Sequence, residues 1–149
     1  MTDDVTIREA TVDDAQALTR LGEDLGFGGT VGELQSRLAA LIASSDHGVF
    51  VAVAPDGRLA GWAHVAVRHF LEARPYAELS GMAVSSRHRQ SGLGRRLIAA
   101  AEHWGGAQGL LALRLRSSDG GDQVRRFYES IGYRYVRDQR VFEKELKAA

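Results

Sequence analysis

Arg89, Gln90, Ser91, Gly92, Leu93 and Gly94 form the stretch whose residue types and spacing point most directly to chemistry. The segment before it, Leu79-Ser80-Gly81-Met82-Ala83-Val84, reads as a strand. From Leu93 onward the apolar positions Leu97, Ala101 and Trp104 recur at helical spacing. A glycine-rich turn that feeds a helix leaves the first backbone N–H groups of the helix without intrahelical partners. Those donors and the positive end of the helix dipole suit a phosphate. Gly92 and Gly94 have no side chains, so a bulky diphosphate can approach the main chain. Two familiar phosphate motifs do not apply. A P-loop needs Lys and then Ser or Thr after its last glycine, where this chain has Arg95 and Arg96. A dinucleotide fingerprint wants a small residue where Leu97 stands and a parallel βαβ unit, whereas the segments upstream read as hairpin-connected strands.

The elements that must position this loop follow an alternating α/β order. Val5-Thr6-Ile7-Arg8 reads as a first strand, and Thr11-Val12-Asp13-Asp14 as a capping box opening a helix through Ala15, Leu18 and Leu21 toward Gly22 or Leu25. Gly26 to Thr30 is a loop, followed by a helix with Leu34, Leu38, Leu41 and Ile42 on one face. Val49 to Val53 and Leu59 to Val67 read as strands joined at Pro55-Asp56-Gly57, a hairpin signal. Arg68 to Tyr76 is a loop. Leu111, Leu113 and Leu115 alternate with Ala112, Arg114 and Arg116, which predicts a strand with one buried face. Asp122 to Ile131 reads as a short helix closed by Gly132, and two C-terminal strands are expected through Tyr135 and Phe142.

Composition narrows the function classes. The chain has 149 residues, enough for one domain with a real core. Lys plus Arg balance Asp plus Glu at 19 each, so no overall field favours nucleic acid or an anionic membrane. The absence of cysteine excludes a disulfide framework and a thiol nucleophile, and fits a reducing compartment. Met1-Thr2-Asp3-Asp4 places acids where a signal peptide needs a basic and then an apolar segment, and no apolar run approaches the roughly 20 residues that span a bilayer. A cytoplasmic protein is expected.

The residues from Arg89 to Gly94 resemble the Arg/Gln-x-x-Gly-x-Gly/Ala signature of the GNAT family of N-acetyltransferases. Phe127-Tyr128-Glu129-Ser130-Ile131-Gly132-Tyr133 is similar to that family's Phe/Leu-Tyr-x-x-x-Gly-Phe/Tyr segment, at its usual distance after the loop. The element order β-α-α-β-β-β-α-β-α-β-β matches as well, over nearly the whole chain. The family's frequent Asn-x-x-Ala start to the last helix is missing, since Gly121 and Val124 stand there. The resemblance implies a single α/β domain over residues 1–149, a GNAT-like mixed central sheet of about seven strands flanked by about four helices.

It also implies acetyl-coenzyme A as acyl donor, with Arg89, Gln90, Ser91, Gly92, Leu93, Gly94 and Arg95 around its pyrophosphate. The backbone of Met82, Ala83 and Val84 would hold the pantetheine arm and the acyl carbonyl, with Gly81 permitting a bulge or splay. Acetyl transfer to an amine needs an acid for the leaving thiolate and a neutral amine. The resemblance assigns Tyr128 as the acid. By spacing alone, Val124, Phe127, Tyr128 and Ile131 fall at i, i+3, i+4 and i+7 and read as a core stripe. Glu78, six residues before Val84, stands where the histone acetyltransferase branch has its base; continued alternation would put Glu78, Ser80 and Met82 on one face.

His64 alternates with Trp62 and Ala66 and faces either the acceptor cleft or a satisfied pocket. No metal is implied, because His47, His69, His88 and His103 show no ligand spacing. Arg87, Arg89, Arg95 and Arg96 form a basic patch suited to phosphates or to solvent.

The acceptor amine stays open: a small amine, an aminoglycoside-like polyamine, an amino acid, or a protein N-terminus or lysine. The resemblance places it near residues 26–30 and 68–76. Asp13, Asp14, Glu23, Asp24 and Glu33 suit a cation, or simply helix surface. Two readings without turnover compete: an acyl-coenzyme A sensor on the same fold and an interaction module with a dead cleft. Arg140 to Leu146 would form an exposed edge that pairs with a second copy, giving a homodimer.

Overall fold

The computed structural model describes residues 4–118 and 120–148, so most of the acidic start, Met1-Thr2-Asp3, lies outside the described residues. The chain divides into two compact units, one ending at Arg116 and the other beginning at Ser117. The first contains strands β1 (Thr6–Glu9), β2 (His47–Val53), β3 (Leu59–Arg68), β4 (Tyr76–Val84) and β5 (Leu113–Leu115), with helices α1 (Ala15–Leu25), α2 (Val31–Ile42) and α3 (Leu93–Ala107). The second contains helix α4 (Asp122–Ser130).

The sheet runs in chain order β1-β2-β3-β4-β5. The first three pairings are antiparallel and the last, β4 with β5, is parallel. The fold is therefore α/β with a mixed sheet and four α-helices, but with five strands among the described residues rather than about seven. The strands expected through Tyr135 and Phe142 are not formed; residues 133–148 carry no strand. Alternation of apolar residues marks a segment able to pair, but a strand exists only where its N–H and C=O groups meet a neighbour. β5 is shorter than its leucine pattern suggests for the same reason: the ladder with β4 spans only Leu113 to Leu115, and Leu111 is exposed.

Local chemistry explains the element ends. Asp14 accepts the Thr11 N–H at 2.8 Å and both terminal nitrogens of Arg8 at 2.8 Å, so one carboxylate closes the capping box and ties β1 to the start of α1. α1 stops at Gly26, whose φ of 78° suits a residue without a side chain. Thr30 and Glu33 cap α2 reciprocally. In the β2–β3 hairpin Gly57 has φ 86°, and Ala54 and Gly57 donate to Arg58 and Ala54 carbonyls at 2.9 Å.

Apolar side chains cover both faces of the sheet. Leu18 and Leu21 of α1 and Leu38 of α2 pack with Val49 and Val51 on one side. Leu93 and Leu97 of α3, each fully buried, pack with Ala52 and Ala63 on the other, and Ala101 with Val65 and Ala77. Burial of such side chains stabilises by roughly 1.5–3 kcal/mol each.

Candidate active site

β4 changes face midway. Paired residues lie on the same side of a sheet, and the register runs Gly61↔Val84, Trp62↔Ala83, Ala63↔Met82 and His64↔Gly81, then jumps to Val65↔Leu79 and Ala66↔Glu78. Ser80 has no partner, which makes it the extra residue of a β-bulge. Met82 and Val84 consequently join Leu93 and Leu97 on the α3 side, whereas Glu78 lies opposite, with Trp62, His64 and Ala66. The expectation that Glu78, Ser80 and Met82 share a face is corrected here: alternation holds only while the ladder is unbroken. Gly81, directly after the bulge, has Trp62 against it, for a Cβ there would come within 2.7 Å of the indole.

Downstream, Ser85 to Gly92 turns into α3. His88 accepts or donates a bond with the Ser85 hydroxyl at 2.7 Å through Nδ1, and the Ser91 hydroxyl donates to the His88 carbonyl. Gln90 (φ 59°) and Gly92 (φ 84°) are both left-handed, and Gly92 is the N-cap of α3. This backbone reversal aims the opening N–H groups of a 15-residue helix out of the loop. Gly94 informs most. It has no positive φ, and a Cβ there would meet nothing closer than the Met82 methyl at 3.8 Å. Neither strain nor packing within the protein demands a glycine at 94. Arg87, Arg89 and Arg95 are exposed around the loop. Arg96 differs, since its guanidinium donates to the Val5 carbonyl at 2.8 Å and so anchors the chain before β1.

The face opposite α3 carries groups that the sequence did not assign. Arg116 brings Nη2 to 3.4 Å from Oε2 of Glu78, whose side chain is 14% exposed; that oxygen accepts no hydrogen bond among the described residues. Nδ1 of His47 lies 2.9 Å from Nε2 of His64, with the rings stacked at 5.1 Å. Burial, and then the neighbouring His47, push the His64 imidazole below its usual range. Phe27, from the loop after α1, meets Trp62 edge-on at 5.9 Å, while Phe70 stacks on Tyr76 at 5.4 Å and Arg114 lies 4.4 Å over the same tyrosine. Residues 26–30 and 68–76 thus each contribute an aromatic ring to this face. Of the acids considered for a cation, Asp14 and Glu33 are already engaged in caps and ion pairs. The sequence hides the histidine pair, because the register begun at the Pro55-Asp56-Gly57 turn shifts by one between Ala52 and Val53, and only that shift sets His47 opposite Ala66 and diagonal to His64.

Tyr128 belongs to the second unit. It packs edge-on to Phe127 at 5.2 Å and to Tyr133 at 6.3 Å, and Tyr133 N–H donates to its carbonyl at 3.0 Å. Its hydroxyl makes no hydrogen bond among the described residues, and burial raises the phenol above its usual range. In the apolar stripe around it, Phe127 is exposed and no residue of α4 is fully buried.

Among the described residues no group of three or more His, Cys, Asp or Glu could hold a metal ion, and no helix is long and apolar enough to cross a membrane. Residues 16–133 match the model of the acetyltransferase (GNAT) family. The chain is 36% identical over 103 residues to an aminoglycoside N(6')-acetyltransferase type 1 of Stenotrophomonas maltophilia, covering 66% of each chain. It is 27% identical over 146 residues to the protein of that name from Klebsiella aerogenes, covering 94% of this chain and 96% of that one. Among solved structures it is similar to aminoglycoside acetyltransferase AAC(6')-Iy bound to a bisubstrate analogue, with TM-score 0.81, 21% identity, and 95% and 99% of the chains covered. It is equally similar to glucosamine-6-phosphate N-acetyltransferase from Arabidopsis thaliana, with TM-score 0.82 at 21% identity over 95% and 99% of the chains.

Proposed function

Since the chain belongs to the GNAT acetyltransferase family, we propose that it moves an acetyl group from acetyl-coenzyme A to a primary amine of a small, aminoglycoside-like polyamine. The acceptor class rests on the names of the relatives, and the donor site on the loop geometry. The family match runs through both units, which supports reading the chain as one catalytic domain.

The residues divide the work as follows. Backbone donors from Arg89 to Arg95 take the pyrophosphate at the α3 N-terminus, and the exposed arginines there supply charge. The main chain of Met82, Ala83 and Val84 holds the pantetheine arm and polarises the acyl carbonyl. The amine lone pair attacks the acyl carbon, and the carbon–sulfur bond then breaks. Tyr128, held protonated by burial, gives its proton to the departing thiolate, and the second proton shed by the acylated nitrogen returns through water to the phenolate. Glu78 receives the ammonium on the acceptor face and draws off its proton, directly or through water. Residues 140–146, with Val141, Phe142 and Leu146 exposed, pair with a second copy to form a dimer.

The observation that carries this reading is Gly94, a glycine that the fold itself does not require. Gly94→Val adds bulk where only a ligand would meet it. Titration calorimetry should therefore show acetyl-coenzyme A affinity falling at least tenfold, with unfolding temperature nearly unchanged, whereas Ala99→Ser on the same helix leaves affinity intact. Unchanged affinity in Gly94→Val would remove the loop from the donor site. Coenzyme A binding without thiol release over a broad amine panel would favour the sensor reading instead.

A further inference from the structure

We propose that His64 is the final acceptor of the amine proton, at its Nδ1, and that His47 is the positioning residue that fixes its tautomer. This rests on the acetyltransferase reading above and extends it. One hydrogen bond, Nδ1 of His47 to Nε2 of His64 at 2.9 Å, joins the two rings, so a single proton lies between them. With that proton on Nε2 of His64, the ring donates to His47 and its Nδ1 is left bare and basic. Nδ1 makes no hydrogen bond among the described residues, and His64 is half-buried rather than sealed.

Placement is the second argument. The register sets His64 directly across from Gly81, on the same face as Glu78 and one residue from the segment Met82 to Val84 proposed to hold the thioester. Glu78 has Arg116 at 3.4 Å on its buried oxygen. The carboxylate thus suits attracting and orienting an ammonium, while a neutral imidazole beside it suits accepting the proton. The balance is simple. The ammonium N–H bond breaks, its electron pair stays on nitrogen for attack, and the proton, relayed by the Glu78 carboxylate or water, forms an N–H bond at Nδ1 of His64. The imidazolium keeps its Nε2–H on Nδ1 of His47 and returns its extra proton to water after product leaves.

The charges around the pair fit this role. β2 contributes His47, with Asp46 beside it held by His69 at 3.4 Å; β4 contributes Glu78, held by Arg116; Trp62 and Val49 are uncharged, and α1 packs on this side through Leu18 and Leu21. Desolvation and His47 keep His64 neutral near neutrality, which is the form able to accept a proton.

The test combines rates with a measurement independent of turnover. His64→Gln should lower kcat about 10²-fold near neutrality while barely changing the KM for the amine. The loss should shrink as pH rises toward the amine's own pKa of about 10.4, where solvent supplies the free base. His47→Asn should cost less, because an amide oxygen can still accept the Nε2–H of His64. Nitrogen-15 imidazole spectra of the native protein should show His64 as the Nε2–H tautomer, titrating below 6.5. A rate profile of His64→Gln that overlays the native one overturns the proposal, as does an Nδ1–H tautomer. Native protein that shows the expected spectra yet acetylates no amine would refute the acetyltransferase reading, and the proton role with it.

Discussion

β4 and residues 133–148 both carry apolar side chains, yet their surroundings differ. β4 bonds to β3 on one edge and β5 on the other, and its residues enter cores on the α3 side. In the later stretch Val141, Phe142 and Leu146 are 88%, 89% and 87% exposed, and no ladder is formed. Similar raw material becomes architecture in one case and accessible surface in the other. Partners, rather than composition, decide which. The contrast extends to the two units: the first holds the sheet, the glycine loop before α3 and Glu78, while the second contributes a phenol on a helix with no fully buried residue.

The largest effect should come from the second unit and concern rate alone. Tyr128→Phe keeps the ring against Phe127 and Tyr133 and removes only the hydroxyl. Turnover should fall by about 10²–10⁴, with acetyl-coenzyme A affinity and unfolding temperature preserved. Steady-state kinetics beside calorimetry checks this; unchanged turnover would return Tyr128 to a packing role and erase the functional difference between the units.

Next comes stability. Leu97→Ala, at a fully buried site, should cost about 2–5 kcal/mol in denaturant unfolding, whereas Phe142→Ala in dilute protein should cost less than about 0.5 kcal/mol. If the two losses are alike, residues 133–148 are packed as firmly as β4 and the comparison fails. If Phe142→Ala is costly only at high protein concentration, measured with light scattering, pairing with a second copy provides the missing partner.

The smallest expected effect tests the first unit at its rim. Asp14→Asn should cost about 1 kcal/mol by weakening the cap and the tie from β1 to α1. The Arg8 hydrogen bonds hold the Asp14 carboxyl below its ordinary range, so its contribution is present above the unfolded value of about 3.9. It is lost as pH falls through the lower, folded value. Acid unfolding of native protein and Asp14→Asn should therefore converge below about pH 4.

Local signals made much of this legible. The capping box at Thr11, the turn at Gly57 and the glycine entry to α3 are short-range devices, and each sits where its residues suggest. What escaped is long-range. A bulge at Ser80 is invisible without β3 alongside, so Glu78 was placed on the Met82 face. The pairing of His47 with His64 needs the hairpin register, and the ion pair from Arg116 to Glu78 needs the parallel crossover. Residues 133–148 form no strand because alternation reports a capacity to pair and not a pairing.

The unpaired Ser80 has a consequence for how such a protein can diverge. Parity along β4 is reset there, so the half that begins at Tyr76 and the half that ends at Val84 answer to different neighbours. Substitutions at Tyr76 or Glu78 can alter the face opposite α3 while Met82 and Val84 stay matched to that helix. Deleting the single residue at 80 would leave Leu79 opposite Val65 and Glu78 opposite Ala66 in an unbroken ladder, removing only the local kink. One extra residue thus lets one face of the strand drift while the other keeps its fit to α3.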